Sequence, residues 1–401
     1  MAAIYSLPLE IIDSILGALV DIDDERLSSI KACSLACQAF HLFSRKHIFA
    51  SVSLNSTHQK PPRRLKELLA ATPEIGSYVR NLEFSLTVRN NELPSPTFSD
   101  LLQKFTQVQC LTISNASIAP VVWDTIPHGL RNILHYIMRL PTFEYLQLIC
   151  VQNFPWKGLA ECTTLRQLRL KAIMADTIPV SPAVTSGTNS PLIKLKAYTM
   201  DFNSIQITKK LFGFDGSPIF DVNSLRKLSA FCYESEMYSL VREMVKKTSQ
   251  LTFLSLFAFR GCSDLSEFLS PILPSLRIFK FQYSIGNQAL VGNRLDMLRN
   301  EFESMRAREN IIEELGIRLH LDIPRDPASL LVVKEKLSAL DKVLDISRWS
   351  SLRSVSVDIE SINTHDVKYF NNPPRELLRE IFPILLSDSR CRVQSTPPRR
   401  R

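Results

Sequence analysis

The sequence predicts an α/β chain in which short parallel strands alternate with helices, preceded by three short helices. Three observations predict it. A brief apolar motif returns many times from residue 78 onward, amphipathic stretches separate its copies, and residues 1–50 follow a different, helical apolar period.

Each copy of the motif has an apolar residue, two others, an apolar residue, one other and an apolar residue. The copies are YVRNLEF (78–84), VQCLTI (108–113), FEYLQL (143–148), TLRQLRL (164–170), PLIKLKAY (191–198), SLRKLSAF (224–231), QLTFLSLF (250–257), SLRIFKF (275–281) and SLRSVSV (351–357). Their alternation is that of a strand buried on one face. The middle positions Leu82, Leu111, Leu146, Leu168, Leu195, Leu228, Leu254 and Phe279 are separated by 29, 35, 22, 27, 33, 26 and 25 residues. Such gaps hold one strand and one return segment, the period of a leucine-rich-repeat solenoid.

Helical return segments are expected at RLKELLAATPEI (64–75), SEMYSLVREMVKKT (235–248) and GCSDLSEFLSPIL (261–273). Further on, Leu295, Leu298, Phe302 and Met305, then Leu330, Val333, Leu337, Leu340 and Leu344, recur at helical spacing and predict longer convex-side helices in an irregular C-terminal part. The asparagine that many such repeats place after the strand is mostly absent. A doubly wound sheet is the competing arrangement, but no Gly-rich nucleotide turn follows any strand, and the chain has only 11 glycines. The solenoid is preferred on the repeated strand signature.

Residues 1–50 predict helices over about 8–20, 27–40 and 41–49. Pro8 is expected at the first helical position, with Glu10 close to the positive end of the helix dipole. The apolar residues of this first helix spread over about 200°, twice the stripe of an ordinary surface helix. A single core cannot use all of that surface. In the second helix Ile30, Cys33, Cys37 and Phe40 are expected on one face. NSTHQKPPRR (55–64) marks a boundary, which divides the chain into the helical unit 1–54, a linker with a first convex helix 55–77, the repeat array 78–387 and a basic flexible tail 388–401.

The formal charge is +8, and the tail, with five Arg against one Asp, holds +4 of it. The helical unit is slightly acidic, so binding of nucleic acid is not expected. No signal peptide or membrane span is expected, and the eight cysteines read as reduced, mostly buried thiols of a cytosolic or nuclear protein. Cys33, Cys37, His41 and His47 have a spacing that invites zinc, but the first three form one helical stripe with no turn to close a tetrahedron, so no metal or other cofactor is expected. None of the common hydrolase, metalloprotease or nucleotide-binding motifs occurs, and no catalytic residue is assigned. PVSPAVTSGTNSP (179–191) reads as a solvated loop between strands.

LPLEIIDSIL, IKACSLACQAF and SRKHIF, in that order and spacing, resemble the F-box of the large F-box protein families of mushroom-forming fungi, with Phe40 where those families usually carry Trp. The resemblance covers residues 5 to about 54. It implies a three-helix unit that binds a Skp-type adaptor, and through it a cullin-based ubiquitin ligase, while the repeats recruit a protein target. Adaptor-facing positions would be Leu7, Pro8, Ile11, Ile15, Leu16, Leu19 and Leu35, with Cys33, Cys37 and Phe40 inside the unit. The two-sided apolar helix is what such an arrangement requires. The alternative is a leucine-rich interaction scaffold whose helical unit only caps the first repeat.

In a solenoid, alternate strand residues point into the core or onto the outer sheet face. Phe231, Phe257 and Phe281 are expected in the core. Tyr233, Phe259 and Tyr283, two residues further on, are the candidates for contact with a target or for the strand-to-helix turn.

Overall fold

The computed structural model describes residues 8–22, 28–55, 63–86, 97–115, 120–173, 191–258, 264–285, 290–321, 327–361 and 375–395. Leu7, Phe259, Cys262, most of the 179–191 loop and the terminal TPPRRR lie outside them. The chain divides into two compact units, Met1–Ile193 with Gly216–Phe220 and Lys194–Asp215 with Asp221–Arg401.

The first unit contains α1 (Leu9–Ile22), α2 (Ser28–Ser34), α3 (Gln38–Ile48), β1 (Ser51–Asn55), α4 (Arg63–Ala71), β2 (Asn81–Leu86), α5 (Thr97–Leu102), β3 (Cys110–Asn115), β4 (Val121–Val122), α6 (His128–Met138), β5 (Tyr145–Ile149), β6 (Val151–Gln152) and β7 (Gln167–Lys171). Its main sheet is parallel, in the order β1-β2-β3-β5-β7, and β4 pairs with β6 beside it.

The second unit contains β8 (Ala197–Met200), α7 (Ile205–Leu211), β9 (Lys227–Cys232), α8 (Ser235–Lys247), β10 (Phe253–Ala258), α9 (Leu265–Leu269), β11 (Ile278–Ile285), α10 (Val291–Ala307), β12 (Glu314–Leu321), α11 (Pro327–Leu344), β13 (Ser354–Ser361), α12 (Arg375–Ile381), α13 (Pro383–Ser387) and β14 (Cys391–Ser395). β8 to β14 lie side by side in chain order, all parallel. A strand followed by a helical return and a parallel neighbour is the arrangement that the motif spacing implies, and it is compatible with a solenoid-like α/β fold.

The strands are buried on one face. In β2, β3, β9, β10 and β12 exposed or half-buried residues alternate with buried ones. A doubly wound sheet would bury both faces and read as a continuous apolar run, so the alternation separates the two arrangements.

Each strand starts about three residues later than its motif. The first apolar residue, Val79, Val108, Phe143, Leu165, Leu225, Leu251, Leu276 or Leu352, precedes the strand and is buried there; the second and third, such as Leu254 and Leu256, are the inward strand positions. Between the first and second apolar residues the backbone makes a recurring bond. The amides of Arg226 and Lys227 both donate to the carbonyl of Lys196, at 2.9 and 3.0 Å, and those of Thr252 and Phe253 both donate to Arg226. The same pairing of two amides on one carbonyl recurs at Ala50, Arg80, Gln109 and Glu144 in the first unit and at Thr252, Arg277 and Glu313 in the second. A hydroxyl ahead of the motif adds to it in three repeats: Thr142 Oγ1 donates to Val108 O (3.0 Å), Ser224 Oγ to Leu195 O (2.9 Å) and Ser275 Oγ to Leu251 O (3.0 Å).

Several expectations are corrected. The second helix stops at Ser34 and the third begins at Gln38, with extended backbone at Cys37 (φ −162°), so Cys37 and Phe40 leave the stripe of Ile30 and Cys33. Pro8 caps α1 instead of opening it, its carbonyl accepting from Ile11 (3.0 Å) and Ile12 (3.3 Å). In the copy at 191–198 the strand is Ala197–Met200, and Tyr198 pairs in register with Leu228. Leu195 is therefore the first apolar position, and spacing from Leu168 to Tyr198 and on to Leu228 becomes 30 and 30 residues. Tyr198 is fully buried, its hydroxyl 2.7 Å from Thr208 Oγ1, which satisfies the one polar atom of that core position. β1, β12 and β14 were not expected as strands; β14 replaces part of the flexible tail because Cys391 and Val393 alternate with Arg392 and Gln394 and pair with β13.

The inward row carries the packing. Leu254→Ala is expected to lower the unfolding free energy by about 2–5 kcal/mol, and Ser255→Ala on the outer row to change it by less than about 0.5 kcal/mol, as read from urea denaturation midpoints.

Candidate functional site

Two surfaces carry unusual chemistry, one in each unit. The first is built on α1 to α3. α1 packs on α3 and α2, and Nε2 of His47 on α3 donates to Asp13 Oδ1 on α1 at 3.0 Å, fixing the pair. Ile12, Leu16 and Leu19 follow at spacings of four and three residues and form one stripe of α1; Ile12 and Leu16 are buried and Leu19 is half-buried. Ile11, Ile15 and Ala18, one residue earlier in each case, form the neighbouring stripe and are exposed, with Ile11 at 46% and Ile15 at 41%. The 200° apolar arc is thus two stripes with different surroundings.

Of the adaptor-facing candidates, Pro8, Ile11, Ile15 and Leu35 are exposed, Leu35 at 87% in the turn between α2 and α3. Leu16 is turned inward and belongs to the packing of the three helices. Leu7 lies outside the described residues. Leu9 and Leu42 are exposed apolar residues that sequence reasoning missed; Leu9 sits on the helix already read as apolar and Leu42 on the third helix, and only the neighbouring helices decide which face is covered.

The second surface is the outer sheet face of the second unit. Register places Phe231, Phe257, Gln282, Arg318, Asp358 and Gln394 in one row across β9 to β14, and Ser229, Ser255, Lys280, Gly316, Ser356 and Arg392 in the row before it. Phe231 and Tyr233 are 39% and 38% exposed and Phe257 is half-buried. Ring centroids lie 5.7 Å apart for Phe231 and Phe257, 5.3 Å for Tyr233 and Phe257, and 5.7 Å for Phe257 and His320. Phe231 and Phe257, expected in the core, stand on the outer face because Leu228 and Ala230 in β9, and Leu254 and Leu256 in β10, hold the inward parity. Tyr283 is the converse case. It shares parity with Phe279 and Phe281, is buried, and stacks on Phe281 with centroids 5.6 Å apart, so it does not face a target.

Beyond the aromatic shelf the face is charged. Arg318 Nε lies 2.8 Å from Asp358 Oδ2, and His320 Nδ1 lies 3.1 Å from Glu360 Oε2. Burial lowers the imidazole pKa of His320 against the opposing pull of Glu360. The first unit's outer face differs. It forms an open groove of about 560 Å³, where Ser51, Asn81, Thr112, Tyr145 and Gln167 are uncharged and Glu83 is the acidic residue.

Among the described residues no three His, Cys, Asp or Glu side chains converge on a possible metal position, and no helix is long and apolar enough to cross a membrane. Burial raises the thiol pKa of Cys110, and raises those of Cys162 and Cys391 to about 11, the opposite of the shift that activates a nucleophile. No protein-family model matches the chain, and neither does any curated protein.

The Cys391 shift has a measurable consequence. Burial disfavours the thiolate and Asp388 repels it, so ionisation moves upward from 9.0 to about 11. Site-resolved iodoacetamide labelling followed by mass spectrometry is expected to show a Cys391 rate that still climbs about tenfold per pH unit at pH 10; a plateau near pH 9 contradicts the assignment.

Proposed function

We propose that the chain is a substrate-receptor subunit of a cullin-type ubiquitin ligase. α1 to α3 dock a Skp-type adaptor as an F-box, and the leucine-rich-repeat-like strands hold a protein target. The observation that carries this reading is the pair of stripes on α1. Ile12 and Leu16 are used inside the three-helix unit, while Ile11 and Ile15 stay exposed with Leu9, Leu35 and Leu42. Burying such a side chain contributes about 1.5–3 kcal/mol, and a surface of this kind is maintained where a partner covers it.

The receptor's chemistry is positioning. It supplies proximity and orientation to a reaction whose groups belong to other chains, which requires no catalytic residue here. This reading places the protein in the cytoplasm or nucleus, where such ligases act. The competing reading is a scaffold whose helices cap the first repeat. It accounts for the buried stripe of α1 and leaves Ile11, Ile15 and Leu35 without a role.

Co-expression with a fungal Skp-type adaptor and size-exclusion chromatography separate the two. The wild type is expected to elute as a one-to-one complex, and Ile11→Asp/Ile15→Asp to elute alone with a melting temperature within about 2 °C of wild type, since both residues are exposed. A wild type that elutes alone, or a double variant that still binds, overturns the receptor reading. A double variant that melts many degrees lower favours the cap.

A further inference from the structure

Across β11 to β14 the outer face of the second unit is hollowed into a groove of about 180 Å³, lined among others by Lys280, Gly316, Arg318, Ser356, Asp358 and Arg392. Its floor is Gly316. The backbone there has no left-handed φ that would call for glycine, yet a Cβ at this position would lie 3.3 Å from both Lys280 Cγ and Ser356 Oγ. The side chains of Lys280 and Ser356 thus close in on Gly316 from both neighbouring strands, and a larger residue here would fill the groove between them. The same row in the neighbouring strands is filled by Lys280, Ser356 and Arg392.

Charge states what comes close. Three cations line the groove against one carboxylate, Asp358, which Arg318 already engages at 2.8 Å. Lys280 and Arg392 are exposed and form no ion pair with a described residue. The Lys280 ammonium leans towards β10, 5.7 Å from the Phe253 ring centroid. Lys280 and Arg392 stand on β11 and β14, three strand spacings or about 14 Å apart, with Gly316 and Ser356 between them. The aromatic shelf of Phe231, Tyr233 and Phe257 begins on the adjacent strand, β10, about 10 Å from Gly316.

We propose that this face binds an extended acidic segment of a target protein, with an apolar side chain on the aromatic shelf and carboxylates over Gly316 between Lys280 and Arg392. The two anchors are about three to five residues apart in the segment, at about 3.3 Å per residue. The proposal rests on the receptor reading for the role of the target and names its chemistry. A single-stranded nucleic acid would also find cations and aromatic rings here, but a run of phosphates needs a cation at each step, and Glu314, Asp358 and Glu360 on the same face leave room for only a short acidic stretch between Lys280 and Arg392.

The test is fluorescence anisotropy with the full chain alone, so that its failure is distinct from failure of adaptor docking. Two fluorescein-labelled peptides are titrated at low salt, one with a tryptophan followed four residues on by Glu-Glu, the other with Gln-Gln in place of the acids. The acidic peptide is expected to bind at least about tenfold more tightly. Arg392→Glu and Gly316→Leu should each remove that preference, and Phe257→Ser should weaken both peptides. Arg392 is an exposed side chain, so its variant keeps the test valid if Gly316→Leu fails to fold. Equal affinity for the two peptides, an Arg392→Glu variant that binds like wild type, no binding of either peptide up to about 1 mM, or tighter binding of a fifteen-residue oligothymidine each overturns the proposal.

Discussion

At the entry to β2, β3, β5, β7 and β9 to β13 one backbone carbonyl accepts two successive amides from the next repeat, as Lys196 does from Arg226 and Lys227 and as Arg226 does from Thr252 and Phe253. This bond sets where the strand begins and therefore which side chains face inward. A shift of one residue would exchange Leu228 and Ala230 for Phe231 and Lys227 on the buried face. The buried residue just before the strand, Leu225 or Leu251, closes the core under the turn, and the hydroxyls of Ser224 and Ser275 tie that turn to the previous repeat.

Because the ladder uses the backbone amides and carbonyls and the inner row uses the aliphatic side chains, the outer rows are free to vary. In the second unit they change along the sheet, from Ser229 and Ser255 with their aromatic neighbours to Lys280, Gly316, Ser356 and Arg392. In the first unit they are mostly Ser, Thr, Asn and Gln. The same construction supports both surfaces, in residues that contribute little to stability.

The repeat pattern was legible because its apolar positions follow the pleat. What was not legible is instructive. The strands start about three residues after their motifs, and the sequence does not mark this, since a residue buried in the turn before a strand has the same hydrophobicity as one within it. The copy containing Leu195 was anchored on the wrong position because Tyr198 takes the place of leucine in the inner row. β12 does not stand out in the sequence although Ile312, Leu315 and Ile317 carry the motif, because the helical run of Leu295 to Met305 stands directly before it. Tyr233 and Tyr283 read alike in the sequence and face opposite ways, since Phe231 is outward and Phe281 inward. On α1 the existence of two apolar stripes was readable, but only the packing of α2 and α3 selects Ile12 and Leu16 for burial and leaves Ile11 and Ile15 outside.

On the reading proposed above, an adaptor docks on the exposed stripe of α1. Hydrogen–deuterium exchange on the full chain, with and without a Skp-type adaptor, tests it most directly. Added adaptor is expected to slow exchange in α1 and in the turn around Leu35 and to leave the amides of β9 to β13 unchanged. Exchange that stays the same in α1, or protection confined to the repeat strands, would contradict it.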